Sequence, residues 1–260
     1  MENSIIEVKN LVKKYGNLTA VDGVSFNVKQ GEIFAFLGPN GAGKTTTIKM
    51  LTTLADATSG SIRINNYDPM VQEDEARSSF GIVFQDQSLD DELTAYENLE
   101  MHALLYKIKK KDRGQRIEQL LNFVELWDRR NELVKNFSGG MKRRLEIARG
   151  FLHHPKILFL DEPTIGLDPQ TRNHIWNYLK KMNEEEGTTV FLTTHYMEEA
   201  EKVSDTIAII DHGKIIAQGT SIQLREQTKT ESLEDAFLVL TGDNIREEKA
   251  KPMPHHHGPR

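Results

Sequence analysis

Gly38-Pro39-Asn40-Gly41-Ala42-Gly43-Lys44-Thr45-Thr46 follows directly on the apolar run Ile33-Phe34-Ala35-Phe36-Leu37. A strand, a glycine-rich turn and a helix start thus come in the order that phosphate binding needs. Gly38, Gly43, Lys44 and Thr45 meet the pattern G-x-x-x-x-G-K-[ST]. Glycines let backbone N–H groups turn inward around an anion, where a Cβ would crowd the turn. The helix predicted over 44–54 aims its positive N-terminal end at the same anion. Lys44 adds a full positive charge against β- and γ-phosphates, and the Thr45 hydroxyl is a candidate Mg²⁺ ligand. The stretch predicts binding of a nucleoside triphosphate.

Working outward, the 260 residues suffice for a substantial core. Hydrophobic residues are 38% and charged ones 28%, a globular balance rather than a disordered one. A formal net charge of -6 argues against a broad electrostatic grip on nucleic acid. There are no cysteines, which excludes disulfides, thiolate zinc sites and a thiol nucleophile. Residues 1–10 lack the apolar centre of a signal peptide, and no apolar stretch approaches the ~18–20 residues of a spanning helix. Any membrane role is therefore expected to run through a partner.

Residues 5–9, 24–28 and 61–64 alternate apolar and polar side chains, as half-exposed antiparallel strands do. Ile33–Leu37 and residues 81–84, 157–160, 190–193 and 207–210 are short continuous apolar runs. Those suit parallel strands buried on both faces. Helical spacing is read over 44–54, 172–185 and 197–203. From about 95 to 152 there is no strand pattern; Leu99, Leu104, Leu105, Ile117, Leu120, Leu121, Val124, Leu126 and Trp127 recur at helical spacings. This predicts an α-helical subdomain inserted between two strands of the sheet. The basic run 107–116 reads as a solvated face.

A second chemical site is Ile157-Leu158-Phe159-Leu160-Asp161-Glu162. A buried strand ending in two acids sets carboxylates at the carboxyl edge of the sheet, where α/β ligand sites form. Asp161 is expected to hold Mg²⁺ through a water ligand, and Glu162 to orient or deprotonate the attacking water.

Asn136-Phe137-Ser138-Gly139-Gly140-Met141-Lys142-Arg143-Arg144 resembles the signature sequence of ATP-binding cassette (ABC) proteins, and stands shortly before Asp161 as in that family. The resemblance covers about 5–219. It implies an α/β P-loop NTPase of the ABC type: a mostly parallel central sheet, an N-terminal antiparallel β subdomain and the inserted helical one. It implies an ATPase domain at 1–225 and a C-terminal extension at 226–260. In the family the signature turn closes on the γ-phosphate held by a facing cassette, so two cassettes sandwich two ATP molecules. Ser138, Gly139 and Gly140 are then ATP contacts in trans. The ATP contacts within the chain are Gly38, Pro39, Asn40, Gly41, Ala42, Gly43, Lys44, Thr45 and Thr46. Tyr15 matches the aromatic that stacks on adenine, Gln85 the glutamine near Mg²⁺ and the attacking water, and His195 the histidine on the γ-phosphate. The implied catalytic residues are Glu162, His195 and Lys44, and the metal ligands Thr45, Gln85 and Asp161. Asp168, in Gly166-Leu167-Asp168, matches the loop that crosses between cassettes.

Two positions depart from the usual signature: Phe137 replaces Leu, and Met141 replaces Gln. Met141 has no amide, so no trans contact is assigned to it. The form Phe-Ser-Gly-Gly-Met-Lys-Arg-Arg resembles the daunorubicin-resistance and nodulation-factor exporter ATPases, as does the ending 232–242. That branch works with separate permeases of the ABC-2 class, met through the loop 86–93. The resemblance thus implies an exporter ATPase using ATP and Mg²⁺. It would be cytoplasmic and peripheral on the inner face of the membrane, with no nucleic-acid partner; both half-sites are intact, which favours a homodimer over a paired heterodimer. The alternative is a single-cassette ATPase with a scaffold role such as iron–sulfur cluster assembly. Ribosome-acting relatives fuse two cassettes and DNA-repair relatives insert a long coiled coil; this chain has one glycine loop and a short insertion. In the tail, 232–240 predicts a short helix with Leu233, Ala236, Phe237 and Leu240 on one face. His255-His256-His257 reads as part of a solvated tail rather than a metal site.

Overall fold

The computed structural model describes residues 4–242; the histidine run 255–257 lies outside them. β1 (Ser4–Tyr15) and β2 (Leu18–Lys29) form a long antiparallel hairpin. β3 (Ile33–Leu37) leaves that hairpin for the centre of the molecule, and β4 (Ser59–Ile64) returns to pair with the free edge of β1. The small sheet has the order β2-β1-β4.

β5 (Phe80–Val83), β6 (Ile157–Asp161), β7 (Thr189–Thr194) and β8 (Thr206–Asp211) join β3 in a second sheet. Its order is β5-β6-β7-β3-β8-β9, with β9 (Lys214–Gly219) antiparallel to β8 and the other five strands parallel. Every residue of β3, β6 and β7 is buried. Their side chains alternate between two cores because strand side chains have a period of two. Phe34, Phe36, Phe159 and Phe191 face the small sheet and α1 (Lys44–Leu51), where Phe26 of β2 lies 5.5 Å from Phe34. Ile33, Ala35, Leu37, Leu158, Leu160, Val190 and Leu192 face the helices.

On the helical side, α2 (Glu73–Ser78) precedes β5, and α3 (Ala95–Leu105), α4 (Lys110–Phe123) and α5 (Gly139–Gly150) fill the insertion between β5 and β6. Thr94 and Glu97 close a capping box at the start of α3. Leu99, Ile117, Leu120, Leu121, Val124 and Leu126 are buried there as their spacing predicts, while Leu104 and Leu105 are exposed. The run 107–116 is a solvated face only in part. Arg116 is 5% exposed, donates to the Phe151 carbonyl at 2.6 Å and pairs with Glu186 at 2.8 Å.

α6 (Pro169–Glu186), α7 (Met197–Val203), α8 (Ser221–Thr228) and α9 (Leu233–Thr241) complete the chain. Leu233 and Phe237 of α9 belong to the same core as the parallel strands. α1 stops at Leu51 rather than 54 because Thr53 takes a left-handed conformation, φ 62°.

Candidate functional site

The glycine loop leaves the carboxyl end of β3 at the centre of the sheet, between β7 and β8. Gly38 donates to the Thr194 carbonyl at 3.2 Å, and a Cβ there would lie 2.4 Å from the Ile210 carbonyl oxygen. Gly43 has φ +108°, and a Cβ would lie 2.6 Å from the Ala20 carbonyl oxygen. Both positions need glycine, one for close approach and one for both reasons. Gly43 caps α1 without a side-chain hydrogen bond, and no acidic residue stands in the helix's first turn. Its N-terminal amides and dipole are therefore uncompensated by any carboxylate of that turn.

Lys44 is 5% exposed, and its Nζ donates to the carbonyls of Gly38 at 2.7 Å and Pro39 at 3.1 Å. The same Nζ lies 3.1 Å from Glu162 Oε1. The other carboxylate oxygen, Oε2, is 3.1 Å from His195 Nδ1. An ionised carboxylate only accepts, so Nδ1 carries the hydrogen of that bond. The His195 ring rests on Tyr196 with centroids 4.1 Å apart, and Arg172 lies over the Tyr196 ring at 4.5 Å.

Asp161, at the last position of β6, accepts from Thr193 Oγ1 at 2.6 Å and Thr45 Oγ1 at 3.3 Å. Glu162 then turns out of the strand with φ 47°, a left-handed conformation that strains a side-chain-bearing residue. Its N–H donates to Thr193, at 3.2 Å to the carbonyl and 3.1 Å to Oγ1. Thr193 thus fixes both carboxylate residues. Sequence reasoning passed over it as a strand residue; its place at the end of a buried run, in Thr193-Thr194-His195, was the available signal.

The other expected residues divide into two groups. Gln85 lies exposed just beyond β5, and Tyr15 ends β1 with its ring 49% exposed and Lys13 Nζ 4.9 Å from the ring centre. Ser138 caps α5, its Oγ accepting from the Met141 N–H at 3.3 Å. Asp168 caps α6, its carboxylate accepting from the Thr171 N–H at 2.9 Å and Oγ1 at 2.6 Å. Those bonds, first the hydroxyl and then the amide, lower its pKa. The caps adjoin, because a Cβ on Gly140 would lie 2.8 Å from Thr171 Cγ2. A cavity of about 260 Å³ opens beside them, lined in part by Ser138, Gly140, Arg144 and His174. Among the described residues, no hydrogen bond joins Ser138–Gly140 to Lys44, Thr45, Glu162 or His195.

The donor set fits Mg²⁺. Thr45 Oγ1 and Asp161 Oδ1 converge, both are oxygens, and hard cations of this size prefer oxygen. Among the described residues no three His, Cys, Asp or Glu side chains form a complete metal cluster. Two protein ligands, with the remaining positions left to phosphate and water, are what a Mg²⁺–nucleotide site provides.

The chain resembles known proteins over most of its length. A family model described as "ABC transporter" matches residues 21–165. The chain is 42% identical over 243 residues to the linearmycin resistance ATP-binding protein LnrL of Bacillus subtilis (strain 168), covering 90% of this chain and 78% of that one. It is 44% identical over 220 residues to the daunorubicin/doxorubicin resistance ATP-binding protein DrrA of Streptomyces peucetius, covering 85% and 66%. It is 41% identical over 220 residues to the Nod factor export ATP-binding protein I of Ralstonia nicotianae (strain ATCC BAA-1114 / GMI1000), covering 85% and 68%. A solved ATP-binding subunit of an ABC transporter superposes with TM-score 0.84 at 32% identity, covering 92% of this chain and 100% of that one. The dimeric cassette MJ0796 bound to ADP and Pi superposes with TM-score 0.74 at 32% identity, covering 83% and 98%. With the phosphate loop, the paired carboxylates, the signature turn and these likenesses together, the chain belongs to the ABC transporter family, as an ATP-binding subunit resembling its drug-resistance and Nod factor exporter branch.

Proposed function

We propose that the chain is the ATP-hydrolysing subunit of a membrane exporter, driving a separate permease through ATP-dependent closure of two cassettes. The observation that carries the reading is Glu162, held between Lys44 and His195 one residue beyond Asp161. Within this reading the ATPase domain is 1–225, with the helical insertion at about 95–152, and 226–260 is an extension.

ATP lies along the glycine loop, its adenine on the Tyr15 ring and its phosphates on the loop amides, the α1 N-terminus and Lys44. Thr45, Gln85 and, through a water ligand, Asp161 would hold Mg²⁺, which would supply charge neutralisation for the triphosphate. Glu162 accepts a proton from water as the water oxygen bonds to the γ-phosphorus. The bond from that phosphorus to the β–γ bridging oxygen breaks, and ADP leaves with the bridging oxygen. His195 orients the Glu162 carboxylate through Nδ1 and keeps Nε2 for the γ-phosphate. Ser138, Gly139 and Gly140 of a second copy cover the γ-phosphate from the other side, and Asp168 lies at the crossing between copies. Cleavage removes the bridging group, so the copies separate after turnover.

The permease is of the ABC-2 class and meets the loop 86–93, which places the subunit on the inner face of the membrane. No helix among the described residues is long and apolar enough to cross a membrane. The test is to isolate the Glu162→Gln variant from gently solubilised membranes with ATP and Mg²⁺. A polytopic membrane protein should co-purify in stoichiometric amount; a dimer without one overturns the exporter reading and leaves the ATPase chemistry standing.

A further inference from the structure

Arg143 stands in the second turn of α5, outside the catalytic set assigned above, yet it is 6% exposed and makes more bonds than any residue of that set. Its guanidinium donates to the carbonyls of Asp161 at 3.3 Å, Glu162 at 3.2 Å and Pro163 at 2.6 Å. It also donates to the carbonyl of Phe84, immediately before Gln85, and to Glu146 Oε2 at 3.0 Å. One planar cation therefore spans the backbone on both sides of the strained Glu162 and the end of the neighbouring strand. Burying a guanidinium is costly unless its donors are satisfied, and here five acceptors surround it.

The contacts continue outward. Glu146 is fully buried, and its Oε1 accepts from the Ser88 N–H at 2.8 Å. Arg149, 8% exposed, donates to the Ser88 carbonyl at 2.8 Å and Oγ at 2.6 Å. Lys142, on the same helix, pairs with Asp91 at 2.7 Å. The loop after Gln85 is thus bonded to α5 at three places, and Arg143 bonds α5 to the backbone that aims Glu162.

We propose that Arg143 is a positioning residue for ATP hydrolysis: it fixes the left-handed Glu162 backbone, and through Glu146 and Ser88 makes that backbone answer to the loop 86–93. The inference rests on the ATPase reading above. Arg143 touches no substrate atom in that reading, so its loss acts on the orientation of Glu162 and not on nucleotide affinity. Lysine keeps the charge but cannot span five acceptors with one ammonium group.

The experiment is steady-state ATP hydrolysis by the purified full chain, with binding of a fluorescent ATP analogue measured separately. Arg143→Lys should lower kcat at least tenfold with KM and analogue affinity within twofold of wild type. Arg143→Lys added to Glu162→Gln should lower the residual rate no further, since the group being positioned is already gone. Glu146→Gln, which keeps the side-chain shape and an acceptor for Ser88, guards against a folding failure of the first variant. It should lower kcat about threefold at constant KM. Unchanged kcat in Arg143→Lys, or losses that add to those of Glu162→Gln, overturns the proposal while leaving the ATPase reading intact. A wild-type chain without ATP turnover removes both, and the two failures are thereby told apart.

Discussion

Lys44 Nζ and Glu162 Oε1 are 3.1 Å apart, both side chains are under a tenth exposed, and the pair spans the glycine loop and the end of β6. The lysine expected to meet phosphate is thus shared between the loop carbonyls and the carboxylate expected to activate water. Binding a triphosphate means that phosphate oxygens compete with Glu162 for the same ammonium group.

Removing the carboxylate charge should separate affinity from turnover. Glu162→Gln keeps the shape and one acceptor but can no longer take the proton, so hydrolysis should fall at least 100-fold. Because Lys44 loses its anionic competitor, ATP affinity should rise about two- to tenfold. Equilibrium binding beside single-turnover hydrolysis checks both; a variant that still turns over like wild type rules Glu162 out as the base.

Lys44→Ala removes the ammonium group that pairs with the Glu162 carboxylate at 3.1 Å. ATP affinity should drop at least tenfold, since charge-assisted contact with the terminal phosphates is lost. The remaining Glu162 carboxylate also repels them. Isothermal titration gives the answer directly, and undiminished affinity would remove Lys44 from the phosphate site.

Gly139 offers a clean test of the signature turn. Nothing lies within 4 Å of a Cβ built there, and aspartate at the start of α5 suits the helix dipole. Gly139→Asp should therefore fold with wild-type thermal stability and bind ATP within twofold as a monomer. Placed on Glu162→Gln, it should abolish ATP-induced dimers in light scattering, because a carboxylate now meets the partner-held phosphate. Dimers that persist would mean the turn does not face nucleotide.

Acid should destabilise the helical insertion by a route unrelated to the site. His102 and His153 are each lowered from 6.5 to about 4, chiefly by burial, with Arg149 adding to it for His102. Unfolding therefore takes up protons between about pH 6.5 and 4. Their contribution to stability is complete above that window and shrinks as pH falls through it. His153→Phe keeps a ring against Tyr106, whose centroid is 3.8 Å away, and loses only the titration and the bond to the Phe80 carbonyl. Its melting temperature should fall less than that of wild type between pH 7.5 and 5; parallel curves would exclude His153 as a source of acid sensitivity.

The parallel strands were legible because burial on both faces favours apolar residues, so Ile33–Leu37 and 157–160 read as unbroken apolar runs. β9 was not legible: an edge strand needs only one buried residue, Ala217 here, and its sequence gives no clear period. α2 and α8 were equally silent, being short and burying only Ala76 and Leu224. At the site, the loop, Asp161 and Glu162 announce themselves by spacing. Arg143 does not, since an arginine in Met-Lys-Arg-Arg reads as exposed until the fold closes carbonyls around it. Arg116 hid in the same way.

The strand order has a consequence for synthesis. β3 carries the glycine loop on its end, yet its partners in the sheet are β7 and β8, more than 150 residues later in the chain. The loop is finished by equally distant residues: Gly38 donates to the Thr194 carbonyl at the end of β7, and Gly213, beyond β8, donates to the Ala42 carbonyl. On the ribosome, the segment that marks this chain most plainly in sequence must wait, unpaired and apolar, until nearly the whole domain has emerged. The neighbour nearest in sequence is β2, whose Phe26 packs on Phe34 and Phe36 in the folded chain. The N-terminal hairpin, synthesised before β3, thus carries part of the cover for the centre of the sheet.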